Sequence, residues 1–282
     1  MAGFGDGQGR FARDTAVQRV AAGRYHGRID PGWAVLQGGV PNGGYVMALA
    51  ARAMRAELAH PDPVTLTAHF LTAPEPGEVE VRVEVIRRGG RHSSVAARLL
   101  QSGRERTRLL GTFTDLTTAE GPTRMEAKPP ELPPITACVD ATRLALERSE
   151  QSGFPPSPIM QRFEHRVPEA LTGWTEGAPV GRSEMGGYVR WADGAPMDTL
   201  GVLAVADCYP PAVFNASRSL LGWVPTIELT VQLRKRPAPG HLATWLSTRA
   251  VTRGYLEEDA EIWDAEGELV ALSRQLALVP RR

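Results

Sequence analysis

Only two cysteines, Cys138 and Cys208, occur in 282 residues. That is too few for a disulfide framework or a cysteine-rich metal site. Net charge is also lacking, with 32 Lys+Arg against 32 Asp+Glu. Such a balance argues against nucleic acid or an anionic membrane as a partner. No stretch approaches the ~18 continuous apolar residues of a membrane span. The opening MAGFGDGQGRFARDTAVQRV has no apolar core of a secretory signal. The histidines at 26, 60, 69, 92, 165 and 241 show no HxxxH or HxH spacing for a metal hydrolase, and no G-x-S-x-G elbow marks a serine hydrolase. These absences fit a cytoplasmic protein that needs no metal or other cofactor.

Turn-formers and apolar residues are plentiful: 29 Gly, 23 Pro and 42% hydrophobic residues. The length suits about two domains of ~150 residues. The glycines from Gly3 to Gly9 precede no βαβ pattern and read as a frayed terminus rather than a phosphate loop. Arg10–Ala22 is predicted as an amphipathic helix, with Arg24–Ile29 and Trp33–Leu36 as strands around Asp30-Pro31-Gly32. After GGVPNGGY, the segment Val46–Leu58 is apolar around most of its circumference, which predicts a buried helix. Val64–Leu71, Val79–Arg87, Ser93–Gln101 and Arg106–Thr114 then read as an antiparallel meander. Prolines cluster between Leu116 and Pro158 around one helical patch, Val139–Arg148, which reads as a connection crossing the surface.

The second half repeats the first. Arg162–Val167 and Gly187–Trp191 are strand candidates, and Thr199–Asn215 is an apolar helical segment broken near Pro210-Pro211. Thr226–Arg234, Leu242–Val251, Glu258–Asp264 and Glu268–Val279 form a second meander. Pro74-Glu75-Pro76-Gly77 and Pro237-Ala238-Pro239-Gly240 stand 163 positions apart, as do Leu66 and Leu229, and Thr67 and Thr230. Matching order and offset indicate duplication. The expected fold class is α+β, a tandem (double) hotdog: two long buried helices, each wrapped by an antiparallel sheet. The expected division is 1–115, a connection at 116–158, and 159–282.

Three polar residues stand out by their neighbours. Asp207 interrupts the apolar run GVLAVADCY, so a helix there would carry its carboxylate inward, where desolvation raises basicity. Thr226 opens the strand TIELTVQL, and Gln275 lies among apolar residues in LVALSRQLALV. Taken singly, each also fits a structural role. The chain resembles the bacterial acyl-CoA thioesterase II family and its actinobacterial thioesterase-like relatives. The resemblance is clearest in LQGGVPNGGYVMAL, in LTAHFLTAPEPGEVEVRVEVIRRGGRHSSVAARLLQSG, and in VADCYPPAV, TIEL and VALSRQ. It implies the double hotdog, and it implies that Asp207, Thr226 and Gln275 hold a nucleophilic water. Two departures stand out: Val40 follows Gly38-Gly39 where the family reads GGQ, and Thr226-Ile227-Glu228-Leu229 replaces Thr-Ile-Asp-His.

The implied reaction is hydrolysis of an acyl-CoA or acyl-carrier thioester, with Asp207 as general base. A thiolate leaving group needs little acid help. The glycine-rich helix start Asn42-Gly43-Gly44-Tyr45 is a candidate for binding the substrate carbonyl through backbone N–H groups, or else serves close packing. Arg87 and Arg88, with Arg91, and Arg234-Lys235-Arg236 are candidate contacts for CoA phosphates, although solvated turns are their default role. Cys208 beside Asp207 reads as a buried structural thiol, since no histidine partner is evident from spacing. The competing readings are a non-catalytic acyl-thioester binding protein and a hotdog hydratase or dehydratase, whose catalytic His is missing from both helix segments. A homodimer or higher homo-oligomer is expected.

Overall fold

The computed structural model describes residues 9–35, 39–152 and 156–279. Gly3, Gly5, Gly7, Leu36 and Gly38, singled out above, lie outside the described residues. The strands are β1 (Val17–Ala21), β2 (Arg24–Ile29), β3 (Asp62–Phe70), β4 (Gly77–Arg87), β5 (Ser93–Gln101), β6 (Arg104–Thr114) and β7 (Val139–Asp140) in the first part of the chain. The remainder are β8 (Phe163–Val167), β9 (Glu184–Trp191), β10 (Thr226–Leu233), β11 (Leu242–Ser247), β12 (Val251–Thr252), β13 (Tyr255–Trp263) and β14 (Leu269–Leu278). The helices are α1 (Arg10–Asp14), α2 (Gly43–Ala56), α3 (Ala141–Ser152) and α4 (Thr199–Val205). No helix among the described residues is long and apolar enough to cross a membrane.

All fourteen strands among the described residues belong to one antiparallel sheet in the order β1-β2-β4-β5-β6-β3-β10-β14-β13-β11-β9-β8-β7, with β12 paired to β13. The two halves meet where β3 lies against β10. In that register Thr67 faces Thr230, and their hydroxyl oxygens are 2.7 Å apart. These two threonines are separated by 163 residues, the offset of the repeat. Leu66 opposes Val231 and Ala68 opposes Leu229, so neighbours exchange across the seam as a pseudo-twofold axis requires. Each half carries a register shift at the same repeat position, between Pro63 and Thr65 in β3 and between Thr226 and Glu228 in β10.

Helix α2 is buried along nearly its whole length and is capped by the Asn42 side chain, which accepts from the Tyr45 N–H at 2.8 Å. Its alanine-rich surface allows it to sit between the sheet and α4. Gly44 is required at this crossing: a Cβ there would stand 2.4 Å from the Leu203 carbonyl oxygen and 3.0 Å from Cα of Ala204.

Four expectations change. Val17–Ala21 is a strand rather than the end of a helix. It pairs with β2 in a hairpin whose turn uses Gly23 at φ 62. Pro31–Trp33 is a 3-10 turn capped by Asp30, and Ala34 makes only an isolated bridge to Pro41. The second helix is short. It stops at Val205, and Pro210-Pro211 prevents its continuation toward the next 3-10 turn at Ala212–Asn215. The proline-rich connection also does more than cross the surface, since β7 pairs with β8 at the sheet edge.

Candidate active site

Because α4 ends early, Asp207 sits on the turn beyond it, and its carboxylate is aimed at the start of α2. Oδ2 accepts from Asn42 Nδ2 and from the Gly44 N–H, each at 2.9 Å, while Asn42 Nδ2 also donates to the Asp207 carbonyl at 2.6 Å. Burial pushes the Asp207 carboxyl up to about 6, and the N–H groups of Gly44 and Gly43 pull the other way. The glycine-rich turn therefore holds a carboxylate with its N–H groups. Gly44 N–H is engaged by Asp207 and Tyr45 N–H by the Asn42 cap. The Tyr45 side chain is fully buried and donates to the Asp14 carbonyl at 2.8 Å.

Thr226 and Gln275 come together on neighbouring strands, with the Thr226 hydroxyl donating to Gln275 Oε1 at 2.9 Å. Both residues, with Asp207, Asn42 and Gly43, line one cavity of about 770 Å³. Its remaining walls are largely apolar: Val46 and Phe70 come from the first half, and Met185, Trp174 and Phe214 from the second. The connection helix supplies another wall through Ala141, Leu144, Ala145 and Arg148, the spacing of one helical face. A largely apolar cavity of this size suits an elongated apolar ligand.

Arg87 and Arg88 are not brought to this cavity. Arg88 donates to the Glu57 carbonyl at the C-terminal end of α2, roughly 20 Å along the helix from Gly44. Arg87 contacts His92 in the same turn. The other basic cluster follows the far end of β10, roughly 25 Å from Thr226. There Lys235 pairs with Asp264, and Arg236 with Asp62.

Two features escaped the sequence reading. His165 Nε2 lies 3.4 Å from Cys208 Sγ on the cavity wall. Burial lowers the His165 imidazole to about 4 and, together with the Asp207 charge, raises the Cys208 thiol well above its usual range. Both groups are therefore neutral at physiological pH. The second feature is Glu258, only 3% exposed, whose Oε1 accepts from Gln275 Nε2 at 2.7 Å and Oε2 from the Ala212 N–H at 2.5 Å. Strand alternation carried a signal for it, since Glu258 shares the inward face of β13 with Leu256, Ala260 and Ile262.

Comparison with known proteins follows the same outline. Residues 30–114 match the acyl-CoA thioesterase N-terminal domain, and residues 136–279 match the acyl-CoA thioesterase C-terminal domain. A Thermobifida fusca protein assigned as a thioesterase II has a similar structure, with a TM-score of 0.83 and 32% identity over 96% of this chain and 98% of that one. A hot dog fold protein from Alicyclobacillus acidocaldarius gives a TM-score of 0.80 at 20% identity, covering 98% and 99% of the two chains, a likeness of fold. An uncharacterized protein of Mycobacterium tuberculosis is 26% identical over 274 residues, 91% of each chain. With one match on each half and both halves folded as a helix against an antiparallel sheet, the chain belongs to the acyl-CoA thioesterase family.

Proposed function

We propose that the protein hydrolyses acyl-CoA thioesters to the free acid and CoA, with Asp207 as general base and Thr226 and Gln275 holding the attacking water. The observation that supports this most is the half-buried Asp207 carboxylate on the same apolar cavity as the Thr226–Gln275 pair. Oδ2 is engaged by Asn42 and Gly44, which leaves Oδ1 to take a proton from water. As that proton moves to Asp207, the water oxygen bonds to the thioester carbon. Collapse of the tetrahedral adduct then breaks the C–S bond, and the thiolate leaves near its own pKa of ~8.5. A positioned base contributes about 10²–10⁴-fold. We also infer two hotdog units, 1–115 and 159–282, joined by 116–158.

The His165–Cys208 pair invites a second reading, a thiol nucleophile. A neutral thiol beside a neutral imidazole and the Asp207 charge is poorly activated, which favours direct attack by water. The test is thiol release from a panel of acyl-CoAs. Wild type should show release that falls at least about a hundredfold in Asp207→Ala. Hydrolysis unchanged by that substitution overturns the base assignment. Binding of acyl-CoA without hydrolysis at any chain length overturns the enzyme reading in favour of a binding protein.

A further inference from the structure

Glu258 is a buried acid that the mechanism above does not use, and it stands directly behind the pair that does the positioning. It is the cross-strand partner of Gln275 between β13 and β14, and Gln275 is in turn opposite Leu229 on the strand that Thr226 opens. It does not line the cavity. Its two oxygens take one donor each, the Gln275 amide at 2.7 Å and the Ala212 N–H at 2.5 Å.

We propose that Glu258 is a positioning residue that sets the direction of a hydrogen-bond chain ending at the attacking water. This rests on the reading that Thr226 and Gln275 hold that water. An ionised carboxylate only accepts, so the NH2 of Gln275 must face Glu258 and its carbonyl oxygen must face Thr226. The single hydroxyl proton of Thr226 is then committed to Gln275, as the 2.9 Å contact shows. The lone pairs of Thr226 remain for an incoming donor. A water between Thr226 and Asp207 donates a hydrogen bond to each, so both of its lone pairs stay free and one points at the acyl carbonyl. A donor in place of the Glu258 carboxylate reverses the order. Gln275 turns its oxygen toward residue 258, its NH2 donates to Thr226, and the Thr226 hydroxyl donates to the water, taking one of its two lone pairs and drawing electron density from the oxygen that must attack.

The same geometry makes the chain sensitive to protons. Burial holds the Glu258 carboxyl up to about 7, opposed by the Ala212 N–H and the Gln275 amide and reinforced by the charges of Asp207 beyond α4 and Asp259 on its own strand. Two ionisations, of Asp207 and of Glu258, thus precede full activity on the acid side.

Two measurements test this. In Glu258→Gln the side-chain oxygen stays on the Ala212 N–H and the new NH2 faces Gln275. We expect kcat to fall by about tenfold to a hundredfold, with KM within about twofold because Glu258 is outside the cavity. The acid limb of log kcat against pH should change slope from about two toward one as one ionisation disappears. Wild-type kcat and slope in E258Q, or a raised KM with unchanged kcat, overturns the proposal. Should E258Q fail to fold, the side-chain amide resonances of Gln275 in Asp207→Asn serve instead. They should shift with a midpoint near about 7, and resonances that stay fixed between about pH 5 and about pH 9 overturn the proposal. That titration needs no turnover, so its outcome is separate from the outcome of the hydrolysis assay.

Discussion

Substituting Gly44 by alanine tests the fold and the site together. The added methyl would lie 2.4 Å from the Leu203 carbonyl oxygen and 3.0 Å from both Cα of Ala204 and Cβ of Asp207. Ordinary contacts to carbon are ~3.5 Å or more, and two of these three neighbours are backbone atoms that cannot rotate away. The helices α2 and α4 must therefore separate by about 1 Å. Forcing extra volume into a packed core costs about 1–3 kcal/mol, offset by at most about 1 kcal/mol from the better helix propensity of alanine. The net cost is about 1–2 kcal/mol, and at about 2–4 °C per kcal/mol for chains near this size calorimetry should show Tm lower by roughly 2–8 °C. The separation also draws the Gly44 N–H away from Asp207 Oδ2. Loss of a donor to the ionised form raises the carboxyl above its value of about 6. The acid limb of the rate profile should then move upward, with activity at pH 6 falling more than at pH 8. Gly90→Ala is the control, since a Cβ there meets nothing within 4 Å. A Gly44→Ala protein with wild-type Tm and acid limb would refute the reasoning.

Asp207→Asn should abolish activity yet stabilise the fold at pH 8. The folded-state carboxyl is raised from 3.8 to about 6, so the native state binds the extra proton in that window and stability falls as pH rises through it. About two pKa units amount to roughly 3 kcal/mol, recovered by the neutral amide and visible as a higher Tm; an unchanged or lower Tm contradicts the burial argument. Leu144→Trp on α3 fills part of the cavity, so kcat/KM should fall about tenfold more for long acyl chains than for short ones; equal losses across a chain-length series would remove α3 from the acyl wall. Cys208→Ala should keep hydrolysis within about threefold, measured beside Asp207→Ala, because the thiol carries no charge to lose; inactivation by this change in a well-folded protein would favour the nucleophile reading.

Where the physics was local, the sequence was readable. Strands β2 and β5 begin and end as their alternation predicts, and the offset of 163 that relates Thr67 to Thr230 became a direct contact. Asp207 was legible as a carboxylate within an apolar run, although the helix expected to carry it stops at Val205. Contacts made across the fold were not legible. His165 and Cys208 are 43 residues apart with no spacing to link them. The N–H groups at the start of α2 were read either as donors to a substrate oxygen or as a site of close packing, and nothing local announces that a carboxylate from the other half would take them. Strand β1 was misread because a five-residue segment of mixed polarity satisfies either period until its hairpin partner is known. The α3 face shows the apolar spacing of a core helix, but only the tertiary structure reveals that it borders a cavity.

The axis through Thr67 and Thr230 has a consequence for stoichiometry. Following equivalent registers across it, the places of Thr226, Gln275 and Glu258 are taken in the first half by Pro63, Gly111 and Val95. None of these three offers a side-chain donor or acceptor, and Gly111 leaves room that Leu66 fills. A pair of identical single-unit chains would have to carry every substitution twice, once in each of two symmetric sites. The fused chain is free of that constraint, so one half keeps the reactive polar groups while the other is recruited for packing. On the proposed function, each molecule should then offer one place for an acyl thioester, and titration with a non-hydrolysable analogue should saturate at a single equivalent per chain.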